Sequence, residues 1–111
     1  MTEEKIRIVI ESFVKEARKI YGSKLQEIIL YGSCVRGDFK ADSDIDVLVL
    51  LNVPSEEISM ERKRILDFTD RLDLDHDVVL APVFQSFQLF EKYRTVSVFY
   101  QTVQKEGVKI A

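Results

Sequence analysis

The stretch from Asp44 to Leu51, Asp-Ile-Asp-Val-Leu-Val-Leu-Leu, constrains the fold more than any other segment. A short, nearly continuous run of valine and leucine reads as a strand buried on both faces. Its two aspartates interrupt that pattern at the entrance. Alternate side chains of a strand share a face, so Asp44 and Asp46 point one way while Ile45 and Val47 point the other. Two carboxylates on one strand edge make half of a hard-cation site. They suit Mg2+, which binds through one or two carboxylates and completes its shell with water and substrate phosphates. The competing reading is an Asx-turn and an exposed strand entry.

Composition narrows what surrounds this strand. The 111 residues suffice for one domain with a real core and are too few for two. With 46% hydrophobic and 32% charged residues the chain is globular in composition. Apolar runs such as Val47 to Leu51 fall far short of the ~20 residues of a membrane span, and Met-Thr-Glu-Glu-Lys lacks a signal-peptide pattern. A soluble, cytoplasmic protein is expected. A single cysteine, Cys34, cannot form an internal disulfide, which agrees with a reducing compartment. As a thiol nucleophile it would need a base that the sequence does not supply. A formal charge of −3 argues against direct nucleic-acid binding, which needs a surplus of Lys and Arg. The cluster Arg62-Lys63-Arg64 reads as a solvated helix face.

Residues 3 to 20 place Ile6, Val9, Ile10, Phe13, Ala17 and Ile20 at helical spacing, with Thr2 as N-cap and an end near Gly22. Glu3 and Glu4 suit the positive end of its dipole. Leu25 to Tyr31 reads as a first strand and Asp44 to Leu51 as a second. Ser55 can cap a helix from Glu56 to Leu72, with Ile58, Ile65, Phe68 and Leu72 inward. Asp73 to Ala81 reads as a third strand stopped by Pro82. Phe84 to Glu106 suggests two short helices, the second ended by Gly107, and Val108 to Ile110 a terminal strand or ordered tail. The sum is an α+β fold, with a small mixed sheet of three to four strands packed with helices.

The third strand matters because a two-metal site needs a further carboxylate. Two ions ~3.5–4 Å apart can stabilise both the attacking and the leaving oxygen of an in-line displacement. Strand alternation puts Asp73, Asp75 and Asp77 on one face, with Leu74, His76 and Val78 on the other. Asp77, next to Val78-Val79-Leu80, is the favoured third ligand, and Asp75 is the competing choice. On this reading His76 faces away as a hydrogen-bonded core or rim residue.

The loop ahead of Asp44 has its own logic. Gly32 permits a close approach that a side chain would forbid, and Ser33 offers a hydroxyl and an N–H to a phosphate oxygen. A helix starting here would add unpaired N–H groups to the same end. Arg36 either bonds phosphate or fixes the loop through a salt bridge to Asp38 or Asp42. Gly37 lets the chain turn back. Ser43 either reaches the phosphates or caps and braces the loop.

Gly32-Ser33-x-x-Arg36-Gly37 followed by Asp42-Ser43-Asp44-Ile45-Asp46 resembles the signature of the DNA polymerase β-like nucleotidyltransferase superfamily, in its small branch, the minimal nucleotidyltransferases. Asp77-Val-Val-Leu resembles that family's third-carboxylate strand, and the segment ending in Glu106-Gly107-Val108 resembles its C-terminal part. The resemblance implies the polymerase β-like fold and transfer of a nucleoside monophosphate, AMP from ATP, to a hydroxyl. It implies that Asp44 and Asp46 bind two Mg2+ ions, that Asp77 helps bind the catalytic metal and activates the acceptor, and that Gly32 and Ser33 hold the triphosphate. Larger members carry a further domain for the acceptor, which this sequence does not show. Minimal members are often paired with a helical HEPN-domain toxin whose tyrosine they adenylylate as antitoxin, so a HEPN partner and a homo- or hetero-oligomer are expected. The alternatives are a binding module that neutralises its partner by occlusion, and an antibiotic nucleotidyltransferase.

Overall fold

The computed structural model describes all residues, Met1 to Ala111. Helix α1, Glu3–Tyr21, begins where the Thr2 hydroxyl accepts the Lys5 amide at 3.1 Å and ends at Gly22, which adopts φ 53°. Its buried stripe, Ile6, Val9, Phe13, Val14, Ala17 and Tyr21, follows the spacing that the sequence sets. Strands β1, Leu25–Tyr31, and β2, Asp44–Leu51, match the expected limits. One helical turn, α2, Ser33–Arg36, lies between them.

The sheet has the order β3-β2-β1-β4. Strand β2 pairs antiparallel with β1 and parallel with β3, Val79–Ser86, while β4, Val108–Lys109, pairs antiparallel with β1. The central position of β2 explains its composition. Ile45, Val47, Val49 and Leu51 join the core beneath α1, whereas Leu48 and Leu50 face the other way, into a second cluster with Phe90, Tyr100 and Val103. Burying each such side chain contributes about 1.5–3 kcal/mol, so the strand that carries Asp44 and Asp46 is rigid beyond them. The second cluster is covered by α5, Phe87–Tyr93, and α6, Val98–Glu106.

Two expectations fail between residues 55 and 82. The long capped helix is broken. Ser55 makes no capping bond and opens a short 3₁₀ turn, after which come α3, Ile58–Lys63, and α4, Leu66–His76. The break follows from a distant contact: the Tyr21 hydroxyl donates to the Glu61 carbonyl at 2.7 Å, and Ile65 N–H bonds Arg62 instead. Glu61 itself is buried, paired with Lys24 and Arg64, and Arg64 also donates to the Ile20 carbonyl. Arg64 is therefore a tether rather than part of a solvated face.

The strand expected over Asp73 to Ala81 is also incorrect. Residues 66–76 continue as helix α4, burying Thr69 and Leu72 three residues apart. Leu74, the centre of the supposed alternation, is 82% exposed, so a period of two would bury nothing there. Asp77 ends α4 in the left-handed region at φ 52°, ψ 53°, a conformation Asp tolerates better than most residues. Strand β3 begins only at Val79 and runs through Pro82, which the edge position of β3 permits.

Candidate active site

The site forms where β1 ends and β2 begins. Tyr31 lies opposite Asp46 in the β1–β2 ladder, and Gly32 follows at φ 81°. A Cβ on Gly32 would stand 2.5 Å from Asp46 Oδ2, so the close approach expected of this glycine is made to the carboxylate itself. From Gly32 the chain enters α2, with the Val35 and Arg36 amides both donating to the Gly32 carbonyl at 3.1 Å. Gly37, left-handed at φ 85°, ends the turn by donating to the Ser33 carbonyl at 2.9 Å.

The loop then returns to β2. Ser43 Oγ accepts the Lys40 amide at 2.7 Å, and the Ser43 amide donates to the Lys40 carbonyl at 3.1 Å. Of the two readings of Ser43, the geometry displays the brace. Arg36 pairs with Asp38 at 3.4 Å and, across the site, with Glu106 at 3.2 Å. Asp42 takes no part in that pairing. Cys34 Sγ donates weakly to the Asp44 carbonyl at 3.7 Å. Burial and the Asp46 charge both push its thiol up, so it stays protonated and is a poor nucleophile.

Neither Asp44 nor Asp46 forms an ion pair with any cation of the chain. Burial and then the neighbouring Asp44 charge raise the Asp46 carboxyl above its ordinary value, against a weaker opposing effect of Arg36. Burial and Asp46 likewise raise the Tyr31 phenol. Two oxygen-donor groups facing one another without a counter-charge are what a hard divalent cation requires.

The third carboxylate is placed differently from the sequence reading. Asp77 is exposed at the end of α4 and, with Ala41, Asp42, Ser43, Val78 and Val79, lines a shallow cavity of about 360 Å³ beside the loop that leads into Asp44. Asp75 is exposed and His76 half-buried on α4, so neither follows strand alternation. No three His, Cys, Asp or Glu side chains gather in a metal-holding group. Asp73 was missed as a neighbour of the site. Its Oδ1 accepts the Leu80 amide at 3.0 Å, and burial raises its carboxyl, with Asp70 and Asp44 adding to the effect. A helical reading of residues 66–76 would have brought it out.

Free carboxylates at a sheet edge, pressed against a glycine turn, define a site for a cation and the phosphates it carries. The family model for the nucleotidyltransferase domain matches residues 10–108, and the chain belongs to that family. It is 31% identical over 102 residues to a protein of Methanocaldococcus jannaschii named "putative protein adenylyltransferase", covering 92% of this chain and 95% of the relative. A second protein of that organism with the same description is 34% identical over 107 residues, covering 96% of each. A "protein adenylyltransferase" of Thermococcus cleftensis is 43% identical over 49 residues, covering 44% of this chain and 48% of the relative. The mixed sheet with its flanking helices accords with the polymerase β-like fold. No helix is long and apolar enough to cross a membrane.

Proposed function

We propose that this chain is a protein adenylyltransferase, moving AMP from ATP to a tyrosine hydroxyl of a partner protein in the cytoplasm. The observation that carries the reading is the unpaired Asp44/Asp46 couple held against Gly32. Similarity over nearly the whole chain to proteins named for that activity supports it. The donor set fits Mg2+: Asp44 and Asp46 would hold two ions, whose contribution is to neutralise charge on the phosphoryl oxygens. Gly32 and Ser33 hold the triphosphate through backbone N–H groups and the Ser33 hydroxyl, with Ser43 fixing the loop beside them. Arg36, half-exposed, exchanges Asp38 or Glu106 for a phosphate oxygen.

In the reaction the acceptor oxygen forms a bond to the α-phosphorus as the α–β P–O bond breaks. Pyrophosphate leaves, and the hydroxyl proton passes to Asp77. Asp77 precedes by two residues the Val79 that faces Asp44 across the sheet, which supports the assignment. The role requires the exposed Asp77–Val78 turn to close toward Asp44. The partner we assign is a HEPN-domain toxin, with this chain as its antitoxin; the family resemblance supports that pairing. Purified chain incubated with labelled ATP, Mg2+ and the partner should transfer label, and Asp44→Ala or Asp46→Ala should abolish it.

A second reading, neutralisation of a partner by occlusion, is favoured by one observation: the three carboxylates are not gathered. Tight, metal-independent binding without label on the partner would establish it and end the first.

A further inference from the structure

We propose that Tyr31 and Phe99 form the platform on which the nucleobase stacks, making Phe99 a nucleotide-binding residue. The proposal rests on the nucleotidyl-transfer reading and deepens it. Tyr31 is bonded directly to Gly32 and sits opposite Asp46, so its ring lies on the same face of the sheet as that carboxylate. Phe99, at the start of α6, packs edge-on against it, with ring centroids 5.6 Å apart and an interplanar angle of 77°. The Phe99 ring is backed by Tyr100 at 5.8 Å, and Tyr100 by buried Phe90 at 5.0 Å. It is thus fixed from beneath yet still 38% exposed.

Only two aromatic rings are among the large exposed apolar side chains, Phe99 and Tyr93. The Lys92 ammonium already lies over Tyr93, 5.3 Å from its centroid. Phe99 is the one continuous with Asp46, and Val98 and Val96, 77% and 69% exposed, extend its apolar surface. A ligand anchored by its phosphates at Gly32 and Asp46 carries its flat base on the same molecule, so the base reaches this surface without a separate association event. Stacking on an aromatic ring reads flat area rather than the hydrogen-bonding edge of the base. A partner's side chain would have to reach the same ring as an independent ligand, which is why the nucleobase is the occupant assigned.

The chain contains no tryptophan, so Phe99→Trp places a unique fluorophore on the platform. With Mg2+ present, ATP should quench it and inorganic tripolyphosphate should not. Phe99→Leu keeps apolar bulk against Tyr31 and should weaken ATP about ten-fold, the loss of one stacking partner, with tripolyphosphate affinity unchanged. Unaltered ATP affinity in Phe99→Leu, or a parallel loss for both ligands, would overturn the platform. So would intact ATP binding with loss of transfer to the protein acceptor, which would assign the surface to the partner. A wild-type chain that binds neither ligand would instead remove the nucleotidyl-transfer reading, and the platform with it.

Discussion

Two acidic groups of this fold have opposite fates. Glu61 is only 1% exposed, and both its oxygens are taken, by Lys24 Nζ at 2.9 Å and Arg64 Nη1 at 2.8 Å. Asp44 and Asp46 stand on one strand face with no cation of the chain paired to either. Burial alone would push the Glu61 carboxyl up, yet bonds from Arg64 and Lys24 hold it below its ordinary value. Burial pushes Asp46 up as well, and there the nearest charge, Asp44, pushes in the same direction. A charge that the fold satisfies is a staple. A charge that the fold concentrates and leaves without a partner awaits a ligand, and the comparison separates structure from function without reference to motif.

The largest expected effect tests the unpaired half. Asp46→Asn should lower transfer by at least about 10³-fold, as when one member of a group that acts as a unit is lost. Thermal stability should hold or rise, because like-charge repulsion is relieved. A marked fall in melting temperature would instead place Asp46 with Glu61 among the staples. Gly32→Ala comes next. Its Cβ meets Asp46 Oδ2 at 2.5 Å, and its φ of 81° strains any L side chain, so about 1–2 kcal/mol of stability and most of the activity should go. If activity survived while stability fell, the close approach to Asp46 would be incidental.

What could be read in the sequence was what local pattern determines. The α1 stripe, both faces of β2, and the juxtaposition of Gly32 with Asp44 and Asp46 lie in continuous segments whose periodicity carries the signal. The break between α3 and α4 was not readable, because the Tyr21 hydroxyl that claims the Glu61 carbonyl comes from 40 residues away. Asp73 to Asp77 alternates as a strand would, and only the exposure of Leu74 reveals that no face there is buried. Pro82 was taken for a terminator because edge position is a property of the whole sheet. The Arg36–Glu106 pair, 70 residues apart, and the contact of Tyr31 with Phe99 exist only once α6 is laid over the sheet.

The staple is tested by Glu61→Gln, which keeps the shape and removes the charge. Lys24 and Arg64 are about half-exposed and can recover water, so the cost should be about 1–2 kcal/mol, below that of stranding fully buried partners. Transfer activity measured well below the melting temperature should be unchanged. A loss of activity in folded Glu61→Gln would show that the two groups communicate.

The smallest effect has the most discriminating sign. Glu61 titrates below its ordinary 4.5 in the fold, so its contribution to stability is present above that value and is lost as pH falls through its folded pKa. Asp46 titrates above its ordinary 3.8, so its contribution is present below that value and is lost as pH rises through the raised folded pKa. Urea midpoints of wild type and the two variants between about pH 3 and pH 7 should therefore diverge in opposite directions. The gap between wild type and Glu61→Gln should narrow as pH falls below 4.5, whereas Asp46→Asn should gain on wild type as pH rises above 3.8. Asp46 is only partly buried, so its share should be a few tenths of a kcal/mol, about the size expected of a screened surface charge. Added Mg2+ should cancel the Asp46 divergence and leave that of Glu61 in place, because only the unpaired carboxylates have capacity for a cation. If Mg2+ moved both or neither, the distinction between a satisfied and an awaiting charge would not hold.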